Sequence, residues 1–158
     1  MKPRFECRPE FCVCGCAAKT TLSGNDADIA ALYHDFFRAG RDQELKKLPG
    51  CQSGYYGLEW YTDGHKSFFY LLGKAVDASA PVPPGMMMKC VPAAQYAVVS
   101  LPAKSNLTDA WTQFFYTVIP ESGYAPDEAH GCYFEYYPQD IHGACELWTP
   151  VIPRKEAL

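Results

Sequence analysis

Cys12-x-Cys14-x-Cys16 is the densest run of reactive side chains in the chain. In a strand, alternate residues share a face, so the three thiols would line up and could hold a soft metal or meet an electrophile. Ordinary zinc sites use Cys-x-x-Cys pairs, and none of the 8 cysteines makes one, so neither a zinc knuckle nor a thioredoxin-like site is signalled. The plainer reading is that these are small residues filling a sheet face, with thiols that stay mostly reduced. Glu146 is the second chemical residue. It stands between Cys145 and Leu147 in a strand of apolar neighbours, where a carboxylate is costly unless paired. A bound cation would pair with it, and nearby rings would add ~0.5–2 kcal/mol of cation–π attraction. On residue pattern alone, an edge-strand glutamate facing water remains the alternative. His34, His65, His130 and His142 are scattered through a helix, a turn and loops without ligand or triad partners. There is no Gly-rich phosphate loop, nucleophile elbow or paired-acid motif, so no cofactor, no metal site and no self-contained catalytic machinery is expected.

The elements that must position these residues read clearly. Phe11 to Cys16 is a first strand. Asn25, with Asp28 three residues on, opens a helix whose apolar face is Ile29, Leu32, Tyr33, Phe36 and Phe37, stopping at Gly40. Residues 41–50 form a polar connection with room for a short helical turn. Tyr55–Tyr61 and Phe68–Leu72 form a hairpin around Thr62-Asp63-Gly64-His65. Pro81, Pro83, Pro84 and Gly85 mark an extended connector. Met87 to Leu101 is extended again, and Asn106 caps a second helix with Leu107, Trp111, Phe114, Phe115 and Val118 on one face, ending at Pro120 and Gly123. A last hairpin uses Gly131–Tyr137 and Ala144–Val151, and the tail from Pro153 frays.

The order is strand, helix, hairpin, given twice. Cys7-Arg8-Pro9 recurs as Cys90-Val91-Pro92, and Asn25-x-x-Asp28 as Asn106-x-x-Asp109. Leu58-Glu59-Trp60-Tyr61 recurs as Phe134-Glu135-Tyr136-Tyr137, an offset of 76 (134 − 58) that also lays Tyr70-Leu71 on Glu146-Leu147. Several matches in one order argue for duplicated halves, about 1–80 and 85–152, within one α+β domain whose mostly antiparallel sheet carries both helices. Helices cover one face, yet the hairpin strands carry rings on both. Phe68, Tyr70 and Leu72 oppose Phe69 and Leu71, Phe134 and Tyr136 oppose Tyr133, Glu135 and Tyr137, and Glu146 and Trp148 oppose Leu147. The uncovered face is therefore also aromatic, as a binding surface or cavity wall would be.

Bulk properties narrow the classes. At 48% hydrophobic and 20% charged, the chain can bury a real core. A net charge of −4, with no basic run longer than Lys46-Lys47, argues against direct nucleic-acid contact. No apolar run is long enough for a membrane span, and Met1-Lys2-Pro3-Arg4 does not begin a secretory signal, so a cytoplasmic protein is expected.

These residues together resemble the GyrI-like small-molecule-binding domains, also called AraC-type effector-binding domains. The resemblance rests on Phe11-x-Val13-x-Gly15, Ile29-x-x-Leu32-Tyr33-x-x-Phe36, Tyr56-Gly57-Leu58, Pro84-Gly85-Met86 and Val91-Pro92-Ala93-x-x-Tyr96-Ala97-Val98. It continues through Phe134-Glu135-x-Tyr137 and Glu146-Leu147-Trp148-Thr149-Pro150-Val151. It implies a duplicated strand–helix–strand–strand fold with a ligand cavity between the halves. It implies that the last-strand acid, Glu146, meets aromatic, often cationic ligands there, with walls drawn from Phe68, Tyr70, Trp111, Tyr136 and Trp148. Many members are fused to a DNA-binding helix-turn-helix, for which this chain has no room, so a stand-alone member is expected. The leading expectation is a binding module for small apolar or aromatic molecules, cations among them. The alternatives are a hydrolase of electrophiles using Glu146 and Tyr70, and a regulator acting on a protein partner; a homo-oligomer stays open.

Overall fold

The computed structural model describes residues 1–62 and 66–155; Asp63, Gly64 and His65 of the first hairpin turn and the last three residues of the tail lie outside the described residues. The chain runs β1 (Arg4–Arg8), β2 (Phe11–Thr21), α1 (Asn25–Arg38), α2 (Arg41–Lys46), β3 (Tyr55–Thr62), β4 (Ser67–Val76), β5 (Met87–Val91) and β6 (Ala94–Leu101). It continues with α3 (Leu107–Gln113), a π-helical turn (Phe114–Val118), α4 (Ile119–Glu121), β7 (Tyr124–Pro126), β8 (Cys132–Tyr137) and β9 (Cys145–Pro153). The fold is α+β, as expected.

Local details differ from the sequence expectations in instructive ways. Asn25 is the first helical residue rather than the cap, because its side-chain amide donates to the Leu22 carbonyl and the Thr20 hydroxyl already holds Asp28 at 2.7 Å. Asn106 does cap α3, its Oδ1 accepting from the Asp109 N–H at 3.0 Å. Gly40, at φ 70°, turns the chain from α1 directly into α2. Pro120 does not end the second helix: the preceding turn widens to π geometry, α4 carries the proline in its first turn, and Gly123 at φ 81° follows the helix end.

The sheet order is β1-β6-β9-β8-β3-β4-β2-β5, with β7 pairing β9, and every pairing is antiparallel. It is strongly curled. The rings of Phe11 on β2 and Phe134 on β8 sit 5.5 Å apart, although β4 and β3 lie between their strands. In a flat sheet those strands would be about 14 Å apart. One core cluster lies on the helix-bearing face: Phe36 and Leu45 from α1 and α2, Phe114 and Ile119 from the second helical segment, and Tyr70, Leu72, Val99 and Leu147 from the sheet. The curl buries a second cluster on the opposite, concave face, including Tyr56, Leu71, Tyr96, Phe134 and Trp148. That is how a face without helices can be aromatic and still be core.

Among the described residues, no helix is long and apolar enough to cross a membrane. The expectation of reduced thiols fails at one pair. Cys12 and Cys90, directly opposite each other on β2 and β5, form a disulfide. Cys14 behaves as the small-residue reading requires, fully buried in the helix-face core, with Cys16 packed partly against it.

Candidate functional site: an acidic cleft between the helices

On the helix-bearing face, α1 packs over β2 and β4. The α3 segment shares core with β6 and β9 through Ala110, Phe114 and Ile119. The central strands β3 and β8 are left as the floor between them. Side chains facing that floor alternate along each strand: Tyr55, Gly57, Glu59 and Tyr61 from β3, and Tyr133, Glu135 and Tyr137 from β8. Tyr33 of α1, which meets Tyr70, Trp111 of α3, which meets Glu135, and Phe115 of the π-helical turn, which meets Tyr133, are only half-buried, so the helical segments turn rings toward the floor without burying them fully.

Glu135 is the centre of this floor. It is 5% exposed and accepts three hydrogen bonds. The Tyr70 hydroxyl donates to Oε1 at 2.7 Å, the Tyr137 hydroxyl to the same oxygen at 3.4 Å, and Trp111 Nε1 to Oε2 at 2.9 Å. Since Tyr70 gives its proton to Glu135, Tyr33 must donate to Tyr70, 2.6 Å away. A continuous chain, Tyr33–Tyr70–Glu135–Trp111, thus ties α1 to α3 across the floor. Gly57 makes it possible, because a Cβ there would lie 2.0 Å from the Tyr70 hydroxyl oxygen. Burial pushes the Glu135 carboxyl upward and the three donors pull it back, while burial, followed by the charge of Glu135, raises Tyr70 well above the usual phenol range.

Glu59 is the contrasting residue. It lies diagonally across from Glu135, directly opposite Tyr70 on one side and Tyr133 on the other. It is ringed by protein yet keeps an accessible edge. Among the described residues no hydrogen bond or ion pair reaches it. Burial first, and then the charge of Glu135, push its carboxyl well above the usual range. Of the two, Glu135 has three donors that stabilise its charged form, and Glu59 has none among the described residues. Lys74 is on the same face but engaged elsewhere, donating to the Gly54 carbonyl at 2.7 Å and lying 4.1 Å from the centre of the Tyr55 ring. The walls are rings: Trp111 stacks on Phe115 at 5.3 Å, Phe115 meets Tyr133 edge-on at 5.4 Å, and Tyr61 reaches Tyr133 at 6.3 Å. This arrangement can hold a flat apolar molecule and offer it a negative charge.

The six residues expected to line one cavity divide between two faces. Phe68, Tyr70 and Trp111 belong to the helix face. Trp148 and Tyr136 pack with the concave cluster. Glu146 is there too, paired with Arg4 at 2.7 Å and accepting from Trp148 Nε1 at 3.2 Å. Glu146 and Tyr70, the acid and neighbour of the hydrolase alternative, therefore lie on opposite faces of the sheet. The reason is one residue of register. Glu59 pairs with Tyr70, but Glu135 pairs with Leu147, an offset of 77 rather than 76 (147 − 70). One extra residue in the second hairpin connection carries Glu146 to the other face. The residues missed in the sequence are Glu59 and Glu135. Their signal was present as the same glutamate recurring in Leu58-Glu59-Trp60-Tyr61 and Phe134-Glu135-Tyr136-Tyr137.

Comparison with known proteins agrees with this fold. The chain superposes on the SAV2435 protein bound to tetraphenylphosphonium with a TM-score of 0.75 at 14% identity, covering 96% of this chain and 94% of that one. An integron cassette protein from the mobile metagenome of Vibrio cholerae gives 0.64 at 17% identity, covering 96% and 97%. The EcmrR C-terminal domain gives 0.63 at 13% identity, covering 96% and 98%. No curated protein matches the chain. Residues 4–151 match the Cass2 model, and the chain belongs to that family of integron-associated effector binding proteins.

Proposed function

We propose that the chain is a binding module for small aromatic organic cations, which enter the cleft between α1 and α3. Glu59 and Glu135 supply the counter-charge, Tyr33, Trp111, Phe115 and Tyr133 supply the ring faces, and the buried Tyr70 holds Glu135 in place. The observation that carries this reading is the Glu59 carboxylate, unpartnered among the described residues and held above its usual range by burial inside an aromatic cleft. A cation arriving there displaces a proton and offsets the repulsion that a second carboxylate charge would otherwise meet. The family description as effector binding supports the reading, as does a structurally similar protein that holds tetraphenylphosphonium. The two halves are read as copies of one unit, with Glu59 and Glu135 as its repeated acid. The reading gives the chain a small-molecule partner and assigns it no nucleic-acid surface.

Calorimetric titration with tetraphenylphosphonium, and with neutral triphenylphosphine oxide as control, tests it. The expected result is cation affinity at least ten-fold weaker in Glu59→Gln and in Glu135→Gln, equivalent to about 1.4 kcal/mol, with the neutral compound little changed. Equal losses for both compounds would remove charge pairing from the account. Mass spectrometry on ester and epoxide mixtures reads out the hydrolase alternative: consumed compounds would replace the binding reading.

A further inference from the structure

Outside the cleft, the one place where several metal-ligating groups converge among the described residues is the junction of β1 with β2. Glu10, in the two-residue link between those strands, brings its carboxylate within 4.8 Å of the sulfurs of both Cys12 and Cys90. Cys12 is 4% exposed, whereas Cys90 and Glu10 are open to solvent. We propose that this cluster is a redox-gated site for a thiophilic divalent cation: closed while Cys12 and Cys90 are joined, and a three-donor site of two thiolates and one carboxylate once they are reduced.

The geometry carries the idea. Cys12 and Cys90 are direct cross-strand partners on one face of the sheet. Cross-strand neighbours of this kind hold their Cβ atoms ~4.5–5.5 Å apart. A tetrahedral ion with metal–sulfur bonds of about 2.3 Å needs its two sulfurs about 3.8 Å apart. Side-chain rotation alone reaches that spacing once the bond is cut. Two thiolates select soft ions over magnesium or calcium. The Glu10 oxygen completes three protein ligands and leaves a fourth position to solvent, on the side where Cys90 is exposed. Opening the site needs a reductant, for which a small dithiol serves. Its two thiols become a disulfide, two electrons pass to the Cys12–Cys90 bond, and each protein sulfur takes one proton. The metal ion then displaces those two protons. Because Cys12 lies in β2 and Cys90 in β5, 78 residues apart in sequence, either state ties the first half of the chain to the second.

The test is a Cd(II) titration of the full chain, followed by the ultraviolet thiolate-to-cadmium band. It uses protein reduced with dithiothreitol and freed of it anaerobically, beside untreated oxidised protein. One Cd(II) per chain is expected to bind the reduced protein at least about 100-fold more tightly than the oxidised one, or than reduced Cys90→Ser. Glu10→Gln should weaken it about ten-fold, and Cys7→Ser, which removes the exposed thiol on β1, should leave it unchanged. Reduced wild-type protein binding no more tightly than oxidised protein would overturn the proposal without any variant. So would a Cys90→Ser protein that binds as the wild type does.

Discussion

The two faces of the sheet carry the same ingredients, carboxylates among aromatic rings, but resolve the charge differently. On the concave face the chain supplies its own cations. The Arg8 guanidinium lies 3.7 Å from the Phe11 ring centre and 5.4–5.6 Å from those of Tyr56, Phe134 and Trp148. It also donates to the Tyr56 hydroxyl at 2.6 Å. Arg4 answers Glu146 in the same way. On the helix face Glu135 is held by neutral donors, and Glu59 has no cation among the described residues. A face that completes its own electrostatics becomes core. One that leaves a desolvated carboxyl uncompensated keeps a preference for an incoming positive charge.

The comparison breaks most visibly by removing the resident cation. Arg8→Ala takes away a guanidinium stacked among four rings and leaves the Tyr56 hydroxyl without its partner. Lost packing, cation–π contact and hydrogen bond together should lower the unfolding free energy by about 2–4 kcal/mol, read by urea denaturation. Arg8→Lys should recover less than half, since an ammonium neither stacks nor forks. A loss under about 0.5 kcal/mol would mean that ring packing alone holds the concave face, as for an ordinary surface substitution.

Much of this was legible in the residues. The spacing of Ile29, Leu32, Tyr33, Phe36 and Phe37 marked α1, and strict alternation in Phe134-Glu135-Tyr136-Tyr137 separated Glu135 from Phe134. What alternation cannot supply is which of two faces the helices cover, nor the length of a turn. Both depend on long-range pairing, and a single residue of register exchanges the faces of a whole strand. The cavity place of Glu146 rests on the family resemblance rather than on alternation, and the observed register puts Glu135, not Glu146, on the helix face. The disulfide was hidden for a related reason. Cys12 was seen beside Cys14 and Cys16 along its own strand, whereas its partner Cys90 comes from a strand 78 residues away.

Glu59 sharpens the comparison from the other side. Its carboxyl is raised in the folded state, so the native protein binds more protons than the unfolded chain above the ordinary glutamate range. Stability should therefore fall as pH rises from that range through the raised folded value. Glu59→Gln removes the titrating group, and its melting temperature should exceed that of the wild type by a few degrees near neutrality, the gap closing toward pH 4.5. Cation affinity should move oppositely, strengthening with pH in the wild type and flat in the variant. A variant less stable than the wild type at every pH would show that Glu59 is compensated in the free protein.

The smallest effect belongs to Glu146, and its smallness is the informative part. Its partner Arg4 is 42% exposed and Glu146 21%, so their ion pair lies in screening solvent. Such pairs contribute about 0–1 kcal/mol, and Glu146→Gln keeps an oxygen for Trp148 Nε1. The sheet separates this carboxylate from the cleft, and its charge is already answered by Arg4. Removing it should therefore change the affinity for tetraphenylphosphonium by less than about two-fold, as for a solvent-screened charge that already has its partner. A ten-fold loss in Glu146→Gln with no change in Glu59→Gln would reverse the roles of the two faces, and would place the cation beside Arg4 and Trp148, where the chain already carries its own.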